Sequence, residues 1–207
     1  MNLDNVHFSV DTETLAFNDN ALLTSIAITP FHFKNDKDVT FTELLERTYY
    51  AKLSHKQQLY DIKRSIDGNT VDFWKRQSKE LRDMSVTPSD TDRDLKEVFL
   101  LEIPMFLQKH SYSYFDSYMF ERGMGYDSNK IDTMYRQLGE TQESKRIINY
   151  WKFREIRTIN DILGDTSNGK WELPEGRPAE FIEHVANHDS AMDALRLIRL
   201  VNAVYFS

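Results

Sequence analysis

The sequence predicts an α/β fold, a mixed sheet flanked by helices, and three observations carry that reading. Strand-like runs open the chain one after another, the pattern of an antiparallel meander. Helical and strand patterns then alternate to the C-terminus, which is how helices come to cover a sheet. The chain of 207 residues, 40% of them hydrophobic, is long enough to bury one sizeable core. No break in composition divides it, so residues 1–207 are expected to form a single domain.

The first strand is expected over Val6 to Glu13, where Val6, Phe8 and Val10 alternate with His7, Ser9 and Asp11. Leu22 to Phe33 reads as the second, with Pro30 near an edge or bend. Thr48 to Leu53 reads as the third. Thr70 is placed to cap a helix through "VDFWKRQSKELR". Another helix is expected from Asp92 to Lys109, kinked at Pro104. "YSYFDSYMF" reads as a strand, and "SNKIDTMYRQLG" as a helix closed by Gly139. "INYWKFREIRTINDIL" starts like a strand and ends like a helix. Gly164 to Pro178 holds most of the late Gly and Pro and reads as a mobile loop. The last helix is expected from Ser190 to Tyr205, with Met192, Leu195, Ile198 and Val201 on its period.

Composition narrows the function. With no cysteine, the chain has no disulfide scaffold, thiolate zinc site or cysteine nucleophile, which fits a reducing compartment. The N-terminus lacks a basic start and a long apolar segment, so no secretory signal is expected. No run of about 18 apolar residues predicts a membrane span. The formal net charge of −7 argues against nonspecific coating of nucleic acid. It is compatible with a cleft that grips a few nucleotides and uses metal ions as its positive charge.

Three local patterns bear chemistry. Asp11 and Glu13 stand two residues apart at the end of an apolar strand, so their carboxylates project from one face. Unpaired carboxylates that close repel, and a hard divalent cation removes the conflict. The alternative is a solvated strand end with a basic partner. His188 and Asp193 have a His-x4-Asp spacing, and His184 with Asp189 has the same. Five helical residues turn by roughly 140°, so such a pair works together only if the histidine stands at or before the helix start. Asp127 follows a glycine-rich turn before a helix, and Asp116 follows an aromatic in "YFDSYMF". A capping role accounts for Asp127 without catalysis.

Four acids and a histidine in this order resemble the DEDDh family of 3'–5' exonucleases. Two stretches sharpen the resemblance. "GNTVDFWKRQSKELR" and "YWKFREIRTINDIL" are similar to segments of the exonuclease A branch of T-even bacteriophages and its bacterial exoribonuclease relatives. The resemblance runs from Val6 to Leu197 and implies a ribonuclease H-like mixed sheet flanked by helices. It favours Asp127 over Asp116, because Arg157-Thr158 follows at the family's distance. It favours His188 over His184, because "HDS" matches the family's His-Asp-(Ser/Ala) opening.

The function implied is hydrolysis of terminal phosphodiesters with two divalent ions, Mg²⁺ or Mn²⁺, releasing nucleoside 5'-monophosphates. Asp11 is expected to bridge the ions, Glu13 and Asp193 to complete the first site, and Asp127 to hold the second. His188 is expected to be the general base. Thr12, Thr14, Trp74, Gln77 and Arg157 are expected to contact substrate, with plain packing as the alternative for Trp74 and an ion pair for Arg157. The partner expected is single-stranded nucleic acid, DNA ahead of RNA, with no membrane and an unassigned oligomeric state. A cytoplasmic enzyme is implied, in the host if a phage encodes it. An exoribonuclease with the same chemistry is the alternative, and an inactive binding module the third reading.

Overall fold

The structure is a computed structural model that describes residues 2–140 and 150–205. The strands β1 (His7–Thr14), β2 (Leu23–Phe31), β3 (Tyr49–Lys52), β4 (Met119–Glu121) and β5 (Phe153–Glu155) join in the order β3-β2-β1-β4-β5. β1, β2 and β3 are antiparallel neighbours, whereas β4 lies parallel to β1 and β5 parallel to β4. With helices on both faces this is the ribonuclease H-like α/β arrangement expected from the sequence. Three strands therefore end at one edge, and the residues just past those ends meet there.

Alternation along β1 serves the two faces differently. Phe8 and Val10 enter a core with Val98, Phe99, Ile103, Ile131 and Met134. His7, Ser9, Asp11 and Glu13 face the other side, toward α1 (Phe41–Arg47) and α9 (Ala186–Tyr205). Phe31, Phe120, Leu195 and Ile198 form the core there. Pro30 lies inside β2 without disturbing it, because pairing with β3 ends at Ile28.

Several elements depart from the sequence reading. The helix expected through residue 82 is two, α3 (Gly68–Lys75) and α4 (Lys79–Ser85), preceded by α2 (His55–Tyr60). Asp67, not Thr70, caps α3, and Ser78 caps α4. Around Pro104, α5 (Leu95–Glu97) passes through a π-helical turn (Val98–Glu102) into α6 (Ile103–Lys109). Proline has no N–H for the regular ladder, and the wider turn accommodates the gap. Only the end of "YSYFDSYMF" is strand. After α7 (Tyr126–Gln137), Gly139 takes φ +87 and ends the helix as expected. Residues 148 and 149, the first of the following strand-like run, lie outside the described residues.

The run from Gly164 to Pro178 is irregular but not loose. It packs on α8 (Ile156–Gly164), where the Asn160 amide donates to Gly169 O at 2.9 Å. Asp161 accepts from Gly169 N–H and Thr166 Oγ1. α9 starts four residues earlier than expected, and that shift decides which histidine stands at its entrance. Among the described residues no helix is long and apolar enough to cross a membrane.

Candidate active site

A cleft of about 660 Å³ opens where β1, β4 and β5 end, between α3 on one side and the α8 loop on the other. Asp11 and Glu13 form its floor, half-buried on the strand face that looks toward α9. Asp127 arrives from the start of α7. Its Oδ1 accepts from Thr12 N–H at 3.1 Å and from Thr12 Oγ1 at 2.5 Å, which ties α7 to β1. Behind it the buried Glu121 carboxylate accepts from the N–H groups of Gly125, Asp127 and Ser128, capping α7. Gly125 makes this entry possible: it takes φ +88, a conformation that side chains disfavour. Asp116 instead lies exposed in a turn held by Ser113, away from the cleft.

The third pattern resolves by the helix start. α9 begins at Ala186, so His184 stands two residues before it, at φ +65, and lines the cleft with Asp189. The Asp189 carboxylate accepts the His184 N–H at 2.7 Å, fixing the turn. Phe73 meets the imidazole edge-on at a centroid distance of 5.2 Å. One donor atom from each of Glu13, His184 and Asp189 lies within 4.8 Å of the others.

His188 occupies another place. It is inside the first turn of α9, buried against Phe41, with Nδ1 accepting the Ile182 N–H at 3.2 Å, and it does not line the cleft. Asp193 reaches the cleft but is already occupied. Arg122 Nε donates to its Oδ2 at 3.1 Å, Arg122 Nη2 bonds Oδ1, and Arg196 approaches Oδ1 at 3.5 Å. The expected His188–Asp193 pairing is thus replaced, in the cleft, by His184 with Asp189.

The proposed substrate contacts divide similarly. Thr14 Oγ1 bonds Ala16 O and the Tyr126 hydroxyl at the cleft edge. Trp74 is 4% exposed and donates its indole N–H to Thr14 O at 3.0 Å, so it packs more than it presents a face. Gln77 does not line the cleft. α3 ends at Lys75, and the Gln77 amide turns back toward Phe73 O. Arg157 does line it, exposed on the first turn of α8.

Electrostatically the floor crowds four acids together. Among the described residues Asp11, Glu13, Asp127 and Asp189 make no ion pair. Burial, then the acids around them, push Asp11 and Glu13 well above the usual carboxylate range. Burial raises Asp127 to about 7 against the Thr12 hydrogen bonds, and burial with Asp193 raises Asp189 to about 7. Lys130, buried in α7 and bonded to Tyr126 O, is the nearby cation, itself pushed down to about 8 by burial. Hard oxygen donors beside one imidazole, crowded and unpaired, are a donor set that fits a divalent cation such as Mg²⁺ or Mn²⁺.

Arg122 joins the site through strand register, which only the fold supplies. Ser9 pairs with Phe120 across the parallel ladder, so the period-2 pattern puts Arg122 level with Asp11 on the same face.

No curated protein sequence matches this one. Solved structures share its fold at low identity. The nuclease domain of 3'hExo, a DEDDh family member bound to rAMP, aligns with TM-score 0.61 and 12% identity over 97% of this chain and 93% of that one. Cell-death related nuclease 4 (CRN-4) gives 0.54 and 16% over 97% of this chain and 64% of its own. E. coli exonuclease I in complex with a dA16 oligonucleotide gives 0.51 and 9%, over 98% and 41%. At the level of sequence, the pattern described as the 3'-5' exoribonuclease Rv2179c-like domain matches residues 6–205. By that match the chain belongs to the 3'-5' exoribonuclease Rv2179c-like domain family.

Proposed function

We propose that the protein is a metal-dependent 3'–5' exonuclease of single-stranded nucleic acid, acting on RNA ahead of DNA. The observation that carries this reading is the meeting of Glu13, His184 and Asp189 donor atoms within 4.8 Å, beside Asp11 and Asp127. The sequence alone put DNA first; the family's description as exoribonuclease supports the reverse order. Residues 1–207 acting as one catalytic unit, a cytoplasmic place of action and a phage origin complete the reading; the first rests on the undivided composition and the other two on the resemblance drawn from sequence.

Asp11, Glu13, Asp127 and Asp189 would hold the metal ions. Bound there, the ions supply Lewis-acid stabilisation of phosphodiester oxygens and a more acidic water. His184 is placed to take the proton of the attacking water, since its ring opens onto the acids while its backbone is fixed by Asp189. Asp193 positions Arg122 beside Asp11, where a guanidinium suits a phosphate oxygen. An inactive binding module would have no use for four crowded, unpaired carboxylates, which favours hydrolysis.

The test is digestion of 5'-labelled RNA and DNA strands of one sequence with Mg²⁺ or Mn²⁺. Shortening from the 3' end with release of nucleoside 5'-monophosphates is expected, roughly tenfold or more faster on RNA, a discrimination within reach of 2'-OH recognition. If neither strand shortens, the reading fails. A second expectation concerns Thr12→Val. It removes the hydroxyl that helps keep Asp127 ionised, so the acid limb of the pH–rate profile should move to higher pH.

A further inference from the structure

Five basic residues line the cleft: Arg122, Arg157, Lys170, Arg177 and Arg196. Three are engaged by carboxylates. Arg122 pairs with Asp193, Arg177 with Glu172 and Glu183, and Arg196 with Glu172 and Asp193. Of these five, Arg157 and Lys170 have no carboxylate within 4.0 Å among the described residues, and both are exposed. They are also neighbours by construction. Gly169 takes φ +68, and a Cβ there would fall 2.2 Å from Arg157 Cβ and 2.8 Å from its Cα. Only glycine lets the loop lie this close on the Arg157 stem.

The loop is held in that place from several sides. The fully buried Asn160 bonds Gly169 O, and Asp161 accepts the Gly169 N–H. Trp171 packs so tightly on Gly164 that a Cβ there would meet Cδ1 at 2.5 Å. The backbone that carries Lys170 is thus fixed against the Arg157 stem, and both residues line the cleft whose floor holds the acids. An arrangement that leaves cations uncompensated next to an anionic floor serves an anionic ligand, and preorganisation lowers the cost of binding it.

We propose that Arg157 and Lys170 form a backbone-phosphate subsite that holds the single strand on the 5' side of its terminal nucleotide. Gly169, Asn160 and Asp161 act as positioning residues for it. The proposal rests on the nuclease reading given above and adds the path by which the strand leaves the acids. Phosphate grip of this kind is sequence-tolerant, as removal of one nucleotide after another requires.

The test is fluorescence anisotropy of a 5'-fluorescein single strand on the full-length Asp11→Asn protein, which keeps the strand intact, across a KCl series. Lys170→Gln and Arg157→Gln should each weaken binding by about threefold to tenfold at low salt. Each should also make the slope of log K against log salt shallower by about 0.7, the value for one phosphate contact on a single strand. Lys170→Arg should keep both properties. Lys37→Gln, an exposed charge outside the cleft, should change neither. If the strand binds but the slopes do not respond, or respond equally to Lys37→Gln, the subsite is overturned and the nuclease reading stands. If the wild-type protein neither binds nor shortens single strands, both are overturned.

Discussion

His184→Ala is expected to lower the rate of single-strand hydrolysis by about 10²- to 10⁴-fold, the range for loss of a general base. His188→Ala should leave the rate within a few-fold and lower thermal stability instead. The contrast follows from where α9 begins. A His-x4-Asp pair that straddles a helix start can share a site, whereas five residues inside a helix turn the two side chains roughly 140° apart. His184 lies before Ala186 and faces the cleft with Asp189, while His188 lies within the helix under Phe41. Removing the His188 ring leaves a cavity and strips the Ile182 N–H of its acceptor, at a cost of about 1–3 kcal/mol. Asp189→Asn should follow His184→Ala, because it loses a charge on the floor as well as the carboxylate that fixes the His184 turn. Steady-state kinetics and melting curves on the same four proteins decide the matter. An inactive but stable His188→Ala beside an active His184→Ala would restore the other register.

That register was the part of the site least legible in the sequence, and the reason is physical. Asn187, His188 and Asp189 are weak helix formers, so propensity places the helix start after them. In the fold, the first turn of α9 packs on the sheet: Val185 and Ala186 are buried, and Ser190 Oγ reaches both Ser9 O and Thr29. Tertiary contacts pull the helix back by one turn, which puts His184 rather than His188 at the cleft. The geometric condition on His-x4-Asp was readable; the residue satisfying it was not. Asp11 and Glu13 were easier, since period-2 alternation after an apolar strand fixes their common face without help from the rest of the chain.

The same division runs through the fold. The strand cores and α7 follow from local pattern. α1 was missed although "TFTE" spells a capping box, with Thr40 and Glu43 bonding each other's backbone N–H. The loop after α8 looks mobile in sequence because it holds most of the late Gly and Pro. Its order comes from Asn160 and Asp161, two adjacent helical positions that carry no signal of a partner nine or eight residues away. Buried polar latches of this kind are decided by tertiary packing, which composition does not record.

Asp11→Asn should abolish hydrolysis and, in the metal-free protein, raise the melting temperature at pH 8. The floor gathers Asp11, Glu13, Asp127 and Asp189 with no ion pair among the described residues, and their folded-state affinity for protons is raised by burial and mutual repulsion. The unfolded chain releases these protons near pH 4. The folded chain holds those of Asp127 and Asp189 to about pH 7. Between those limits the folded state binds more protons than the unfolded state, so stability falls as pH rises. The contribution is whole below about pH 4 and lost once pH passes about 7. In EDTA, the wild-type protein should therefore melt roughly 4–8 °C lower at pH 8 than at pH 5.5, the equivalent of about 2 kcal/mol in a chain of this size. Asp11→Asn removes one of the repelling charges and should flatten that profile. Mn²⁺ should reverse the loss at pH 8 in the wild type, because a ligand bound only by the folded state stabilises it by mass action. It should do much less for Asp11→Asn, whose neutral amide replaces the central carboxylate. A wild-type profile that stays flat in EDTA, with no shift on adding Mn²⁺, would show that the acids are compensated in some other way and that this floor is not a metal site.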